Sequence, residues 1–359
     1  MNLSLTISGS DPKTKISYLP WNNPDNILSY QAYTDTVFHY NNILKPLVIS
    51  VGVSTNIINC VVFTRQGLRD RMNLCLFVLA LVDMTYLAYS LIFTLAFWIR
   101  LLEPILGEEV YQKTYYYATG ANFGFRETSA CISVLIAVER CVCVVFPLRA
   151  NNLMSTRTMG ILLVAIVIGM QLAFVTTPIK RYVLPTYDNI TGETRWRMVP
   201  SAAWQNSEGL LRYDVIEDTI MMVIFPLATF ILVSGATAIT VVKLRAAMSW
   251  REKTSSTSSD AQVQQVALTK MLVLVSCIFI ASKVPWIALT VARIFYPDFS
   301  PSGRQSNVFR VAELIAFYFP YVHSAVNFFI YISRSSRYKS ELRAICNCPY
   351  NGYFHKGSV

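Results

Sequence analysis

Seven apolar stretches, each long enough to cross a bilayer, constrain this chain more than any other feature. A helix needs roughly 20 apolar residues to span the hydrocarbon core. Segments 46–64, 158–179 and 219–242 contain no charged residue. Segments 72–99, 271–292 and 311–333 contain one each, Asp83, Lys283 and Glu313, and 114–138 contains the adjacent pair Arg126 and Glu127. Backbone polar groups in hydrocarbon must be satisfied within the segment, so such stretches are helices. Composition agrees: 53% of the 359 residues are hydrophobic and 14% charged, where a soluble domain carries about 25% charge. The expected fold is an all-α membrane protein, a seven-transmembrane helix bundle with a short cytoplasmic amphipathic eighth helix. Its expected parts are an extracellular N-terminal segment (1–42), the bundle (43–333), and the amphipathic helix with the cytoplasmic tail (334–359).

Charge sets the orientation. With the N-terminus outside, the inner segments hold sixteen basic residues against five acidic ones, and the outer segments thirteen of each. Basic residues concentrate on the cytoplasmic side of membrane proteins. The net charge of +10 is therefore read as attraction to the inner membrane lipid surface, not as a nucleic-acid stripe. No basic start followed by an apolar run precedes residue 13, so the first span is expected to act as its own insertion signal. The sequons at Asn2 and Asn189 both fall outside, as glycosylation requires. The expected location is the plasma membrane. All eight cysteines lie within spans or on the inner side, so no outer disulfide is expected. Cys346 and Cys348, just past the amphipathic stretch, are candidate palmitoylation sites. The polar third inner loop (248–261) is a candidate kinase target, with arrestin as a further expected partner.

Polar residues inside the spans are costly and therefore informative. Asn56 lies in span one, and Leu79-Ala80-Leu81-Val82-Asp83 in span two. Glu139-Arg140-Cys141 closes span three, with Pro147-Leu148 beyond it. Pro226 lies in span five, Phe279 and Pro285 in span six, and Asn327-Phe328-Phe329-Ile330-Tyr331 near the end of span seven. This order and spacing resembles the rhodopsin-like (class A) G-protein-coupled receptors over about 47–348, with a looser likeness to invertebrate peptide or chemosensory branches.

The resemblance implies a receptor that binds an extracellular peptide or small molecule and activates a heterotrimeric G protein. It implies that Glu139 holds Arg140 at rest, that Leu148 contacts the G protein, and that Phe279, Pro285, Asn327 and Tyr331 take part in activation. It further implies a sodium pocket at Asp83, Ser129, Ser324 and Asn327. Lys283, however, stands where the family has a tryptophan, and an ammonium there would neutralise Asp83 or Glu127 without sodium. Other departures follow. Gln265 replaces an acid that would latch Arg140, which implies raised basal activity. Phe328 replaces the proline that kinks span seven. Tyr115 replaces the cysteine that staples span three to the following outer loop, which implies a more mobile lid.

Projected on the family frame, Arg126, Glu127, Asp218, Lys283 and Glu313 are candidate ligand contacts. Both charge signs suit a zwitterion, a peptide or an acidic metabolite; mutual neutralisation of Arg126, Glu127 and Lys283 is the alternative. No metal site or cofactor is expected, and no enzyme: the three histidines, His39, His323 and His355, form no metal-spaced pair. A non-signalling decoy of the family stands as the main alternative function, and a channel or transporter as a weaker one.

Overall fold

The computed structural model describes residues 20–147, 149–188, 193–254 and 260–346. Among the described residues, seven helices are long and apolar enough to cross a membrane: α1 Tyr30–Gln66, α2 Arg71–Leu102, α3 Pro104–Val145, α4 Thr156–Ala173, α5 Glu208–Trp250, α6 Val263–Phe295 and α7 Ser306–Arg334. An eighth, α8, runs over Ser336–Cys346. Two strands, β1 Arg181–Asp188 and β2 Glu193–Pro200, pair antiparallel between α4 and α5, with Arg181 opposite Pro200. The all-α bundle stands, and this hairpin is an addition to it in the segment between two spans. The local reason is composition: β-branched and aromatic residues such as Val183, Thr186, Tyr187 and Val199 favour strands. At the N-terminal end, α1 is already helical from Tyr30. The polar turns before Lys45 extend the helix beyond its apolar part. The sequons at Asn2 and Asn189, together with Leu148 and Cys348, lie outside the described residues.

Side chains and prolines punctuate the helices. Asp70 caps α2, accepting from the amides of Met72 (3.0 Å) and Asn73 (2.9 Å). Gly67, with φ of 93°, closes α1 in a conformation that a side chain would disfavour. Wide helical turns at Tyr40–Leu44 and Ile220–Ile224 precede Pro46 and Pro226, whose rings would otherwise meet the carbonyl four residues back. The carbonyl released by Pro226, that of Met222, accepts from Trp286 Nε1 at 3.3 Å. Helix α7 lacks a proline at Phe328 yet carries Pro320 in its interior, so the backbone hydrogen bond that a proline removes is lost farther out than at the family position.

α3 is the axis. Its 42 residues, roughly 63 Å at 1.5 Å per residue, touch α2, α4, α5 and α6. α1 lies between α2 and α7. The largest apolar cluster, including Phe63, Leu76, Ile132, Ile136, Leu272 and Tyr331, lies in the half of the bundle that holds Arg140, termed inner here after its basic residues. α8 joins it by burying Tyr338, whose hydroxyl donates to Asn59 Oδ1 at 2.7 Å. α4 buries only Met159 and Leu163 and turns Ile161, Val164, Ile168 and Leu172 outward, as a lipid-facing helix should. At the other end, Asn307 Nδ2 donates to the carbonyls of Trp21 and Leu28 (3.0 Å each), tying the N-terminal segment to the start of α7.

Gly120 lets α3 approach the end of α4. A Cβ there would stand 2.9 Å from the Phe174 carbonyl oxygen and 3.0 Å from Thr177 Cβ. Gly120→Leu is therefore expected to destabilise the purified protein by about 1–3 kcal/mol, the usual penalty for overpacking. A lowered thermal midpoint in detergent or lipid discs would show it; an unchanged midpoint would mean that α3 and the loop after α4 separate freely.

Candidate functional site

The inner end of α3 carries a three-part ion cluster. Arg140 grips Glu139 through Nε and, at 2.6 Å, through Nη2. Arg71, from the start of α2, reaches the same carboxylate at 2.8 Å. Its other nitrogens donate to the Met154 carbonyl (3.0 Å) and to Cys143 Sγ (3.1 Å). Glu139 is fully buried, and two guanidinium groups from two helices answer its charge. Beneath them opens a cavity of about 810 Å³ between α2, α3, α6, α7 and α8, with Arg140 and Tyr331 in its wall and Gln265 at the α6 side. Tyr331 is held by ring contacts to Phe63 (5.3 Å) and Tyr338 (5.7 Å).

Two further clusters occupy the middle of the bundle. Asp83 is buried and accepts from Ser129 (2.6 Å), Ser324 (3.1 Å) and Asn327 (3.4 Å), so the four residues expected to form a polar pocket do meet. One layer outward, Glu127 pairs with Arg126 (2.7 Å) and Lys283 (3.5 Å). Of the two expected partners for Lys283, the structure selects Glu127. The Lys283 ammonium also lies 5.6 Å from the centre of the Phe279 ring. The Arg126 guanidinium lies over Phe123 (4.6 Å) and Phe317 (5.4 Å), and Trp286 packs on Phe317. Arg126, Glu127 and Lys283 are all buried, so they answer one another beneath an aromatic layer.

The outer cavity, about 200 Å³, lies above that layer between α3, the end of α4, the hairpin and α5. Tyr115, Phe123 and Phe174 supply aromatic wall, and Lys180, Asp214 and Asp218 supply charge. Lys180 pairs with Asp214, with Glu217 (3.3 Å) and with Asp218 (3.7 Å). Burial disfavours its ammonium, but the hydrogen bond to Asp214 and the charges of Asp218 and Glu217 outweigh that and raise its pKa. Thr176 also donates to Glu217, at 2.8 Å. Of the five expected ligand contacts, only Asp218 reaches this cavity. Glu313 stands apart, at the outer part of α7 within electrostatic reach of Arg310 and Arg293.

The outer loop does have an anchor in place of the missing disulfide. The Tyr116 hydroxyl donates to the Pro178 carbonyl (2.5 Å) and accepts from the Arg181 amide (3.0 Å). Together with Lys180, it ties the base of the hairpin to α3 and α5. Hydrogen bonds and an ion cluster stand where the family has a covalent link.

The family model described as serpentine type 7TM GPCR chemoreceptor Srw matches residues 43–349. The chain belongs to this chemoreceptor family. No curated protein matches it. For this serpentine receptor the match supports a multi-pass membrane protein with G protein and ligand as general partners. Several of its structural contacts escaped sequence reasoning: Arg71, Tyr116, Lys180 and the Tyr338–Asn59 bond. Arg71 and Lys180 read as ordinary loop charges, and only folding reveals which acids they meet. Cys346 is exposed at the end of α8.

Two stability outcomes follow from this chemoreceptor's buried polar contacts. Tyr116→Phe leaves an amide and a carbonyl without their shared partner and is expected to cost about 1–3 kcal/mol. Its thermal midpoint should fall, while reductant should leave the wild-type midpoint unchanged. Glu127→Gln leaves Arg126 and Lys283 buried without a carboxylate and is expected to cost about 3–5 kcal/mol. Adding Lys283→Gln should recover part of that loss; strict additivity would show that the two side chains do not interact.

Proposed function

We propose that the chain is a plasma-membrane chemoreceptor, N-terminus outside, which binds a small zwitterionic molecule or short peptide at its outer cavity and activates a heterotrimeric G protein at its inner one. One observation carries this reading. A single continuous helix, α3, contributes Thr119 and Phe123 to the outer cavity and Arg140 to the inner cavity. A ligand that prefers one placement of α3 thereby biases the other end, which is population shift between two states. The outer cavity's size and its mixture of acids, bases and aromatic rings favour a small, charged ligand.

Arg140 must leave Glu139 to meet a G protein, and an abandoned buried carboxylate is costly. Arg71 lowers that cost, because it remains on Glu139 after Arg140 departs. Gln265 offers no charge to recapture Arg140. Both features favour appreciable basal signalling. Tyr331 and Phe279 would repack as α6 and α7 move about Pro285 and the polar layer at Asn327, and Leu148 would contact the G protein. Arrestin and a kinase at the third inner loop belong to the same reading.

No cofactor is called for. Lys283 brings an ammonium to the layer next to the Asp83 pocket, on Glu127, and the Asp83 carboxylate is answered by hydrogen bonds from Ser129, Ser324 and Asn327. In this reading the pocket works as a polar hinge layer without sodium. The receptor role also stands in place of an enzyme role.

GTP exchange on a panel of Gα subunits, in membranes bearing the receptor, tests this. Basal and ligand-fraction-dependent exchange should disappear with Arg140→Ala and fall with Arg71→Gln, and replacing sodium by an organic cation should change neither. A well-expressed receptor that drives no Gα subunit under any fraction would favour the decoy reading. A rise in exchange with Arg71→Gln would overturn the role given to Arg71.

A further inference from the structure

The inner cavity carries more positive charge than the Arg140 cluster needs. Arg69, Arg71, Arg140, Arg334 and Arg337 line it, and among the described residues Asp70 is the only acid in its wall. The Asp70 carboxylate is spent on capping α2, and the buried Glu139 behind the wall answers Arg71 and Arg140. Arg337 donates to a neutral acceptor, the Gln66 carbonyl, at 2.9 Å. Among the described residues, Arg69, Arg334 and Arg337 have no carboxylate partner. Five guanidinium groups against Asp70 and Glu139 leave the cavity region at about +3, at an inner bilayer surface whose own lipids are anionic.

The chemistry of the lining narrows the ligand. Guanidinium forks match tetrahedral phosphate oxygens bidentately, and a phosphate monoester concentrates about −1.5 to −2 charge on one such group. Gln264, Gln265 and Ser335 add neutral donors. The roughly 810 Å³ volume admits a ring bearing several phosphates. We propose that this cavity binds a polyphosphorylated inositol group, either the headgroup of a phosphoinositide in the inner leaflet or a soluble inositol phosphate. Such an anion draws on Arg69, Arg334 and Arg337 and occupies the space that the proposed G protein would enter. Its competition with the G protein rests on the preceding reading; its binding does not.

The full-length receptor in phosphatidylcholine discs is titrated with a fluorescent inositol hexakisphosphate. Its thermal midpoint is also compared in discs containing phosphatidylinositol bisphosphate or phosphatidylserine at matched charge. The expected result is saturable binding, or stabilisation by the phosphoinositide beyond that by phosphatidylserine. Arg69→Gln/Arg334→Gln should weaken that effect by about tenfold or more, the order of one lost charge-assisted contact. Lys339→Gln/Arg343→Gln, on α8 but outside the cavity wall, should leave it unchanged. Response to the lipid alone assigns the membrane source, and response to the soluble probe alone assigns the cytosolic one.

Equal stabilisation by phosphatidylserine with no soluble binding would overturn the proposal, as would undiminished binding in the Arg69/Arg334 variant. That variant's midpoint in pure phosphatidylcholine reports its folding. Should it fail to fold, Arg69→Lys/Arg334→Lys keeps the charge but removes the forks, and is expected to bind more weakly than wild type; equal binding would overturn the site. Phosphate binding without any GTP exchange would remove the coupling reading while leaving this site standing. Exchange without phosphate binding would do the reverse.

Discussion

A charge inside a bilayer must be answered by another charge or by hydrogen bonds, and in this receptor nearly every answer comes to or from α3. Glu139 is met by Arg71 of α2 and by Arg140 beside it. Glu127 is met by Lys283 of α6. Ser129 donates to Asp83 of α2, and the Tyr116 hydroxyl holds the loop after α4. Each contact is costly to break in a low-dielectric interior. Together they hold α3 against its neighbours more specifically than apolar packing alone, which lipid tails satisfy equally well.

The same economy explains how the two ends differ. The outer end is closed by short-range polar contacts: the Tyr116 hydroxyl, the Lys180 cluster and the Asn307 tie to the N-terminal segment. The inner end leaves a large cavity with surplus arginine. The cavity at the outer end is about 200 Å³ and that at the inner end about 810 Å³. Between them lie an aromatic layer, in which Arg126 of α3 lies over Phe317 of α7, and a polar layer, in which Asp83 of α2 accepts from both Ser129 of α3 and Ser324 of α7.

Legibility differed by the range of the interaction. The spans were readable because each is a local run of apolar residues, and the Asp83 pocket because its members recur at family spacings. The Lys283–Glu127 contact was narrowed to two partners and then selected by distance. The hairpin was not legible although Val183, Thr186 and Tyr187 carry strand character, because its segment is short, lies outside every apolar run and mixes those residues with Pro185, Arg181 and Arg197. Pro320 was legible as a residue, but its role in α7 was overshadowed by the missing proline at Phe328. Arg71 and Lys180 carried no signal, since a single basic residue at a span end looks like any other.

The amino-acid sequence by itself determined that the chain crosses a membrane seven times, which end is rich in basic charge, and which polar residues are buried. These follow from hydropathy over about 20 residues and from the cost of polar atoms in hydrocarbon. Only the tertiary structure decided which charges pair, that a tyrosine hydroxyl stands in for a disulfide, and that four of five expected ligand contacts stay clear of the outer cavity. Those outcomes depend on how helices rotate and approach one another. A turn of tens of degrees moves a side chain from pocket to core, and local sequence does not encode that angle.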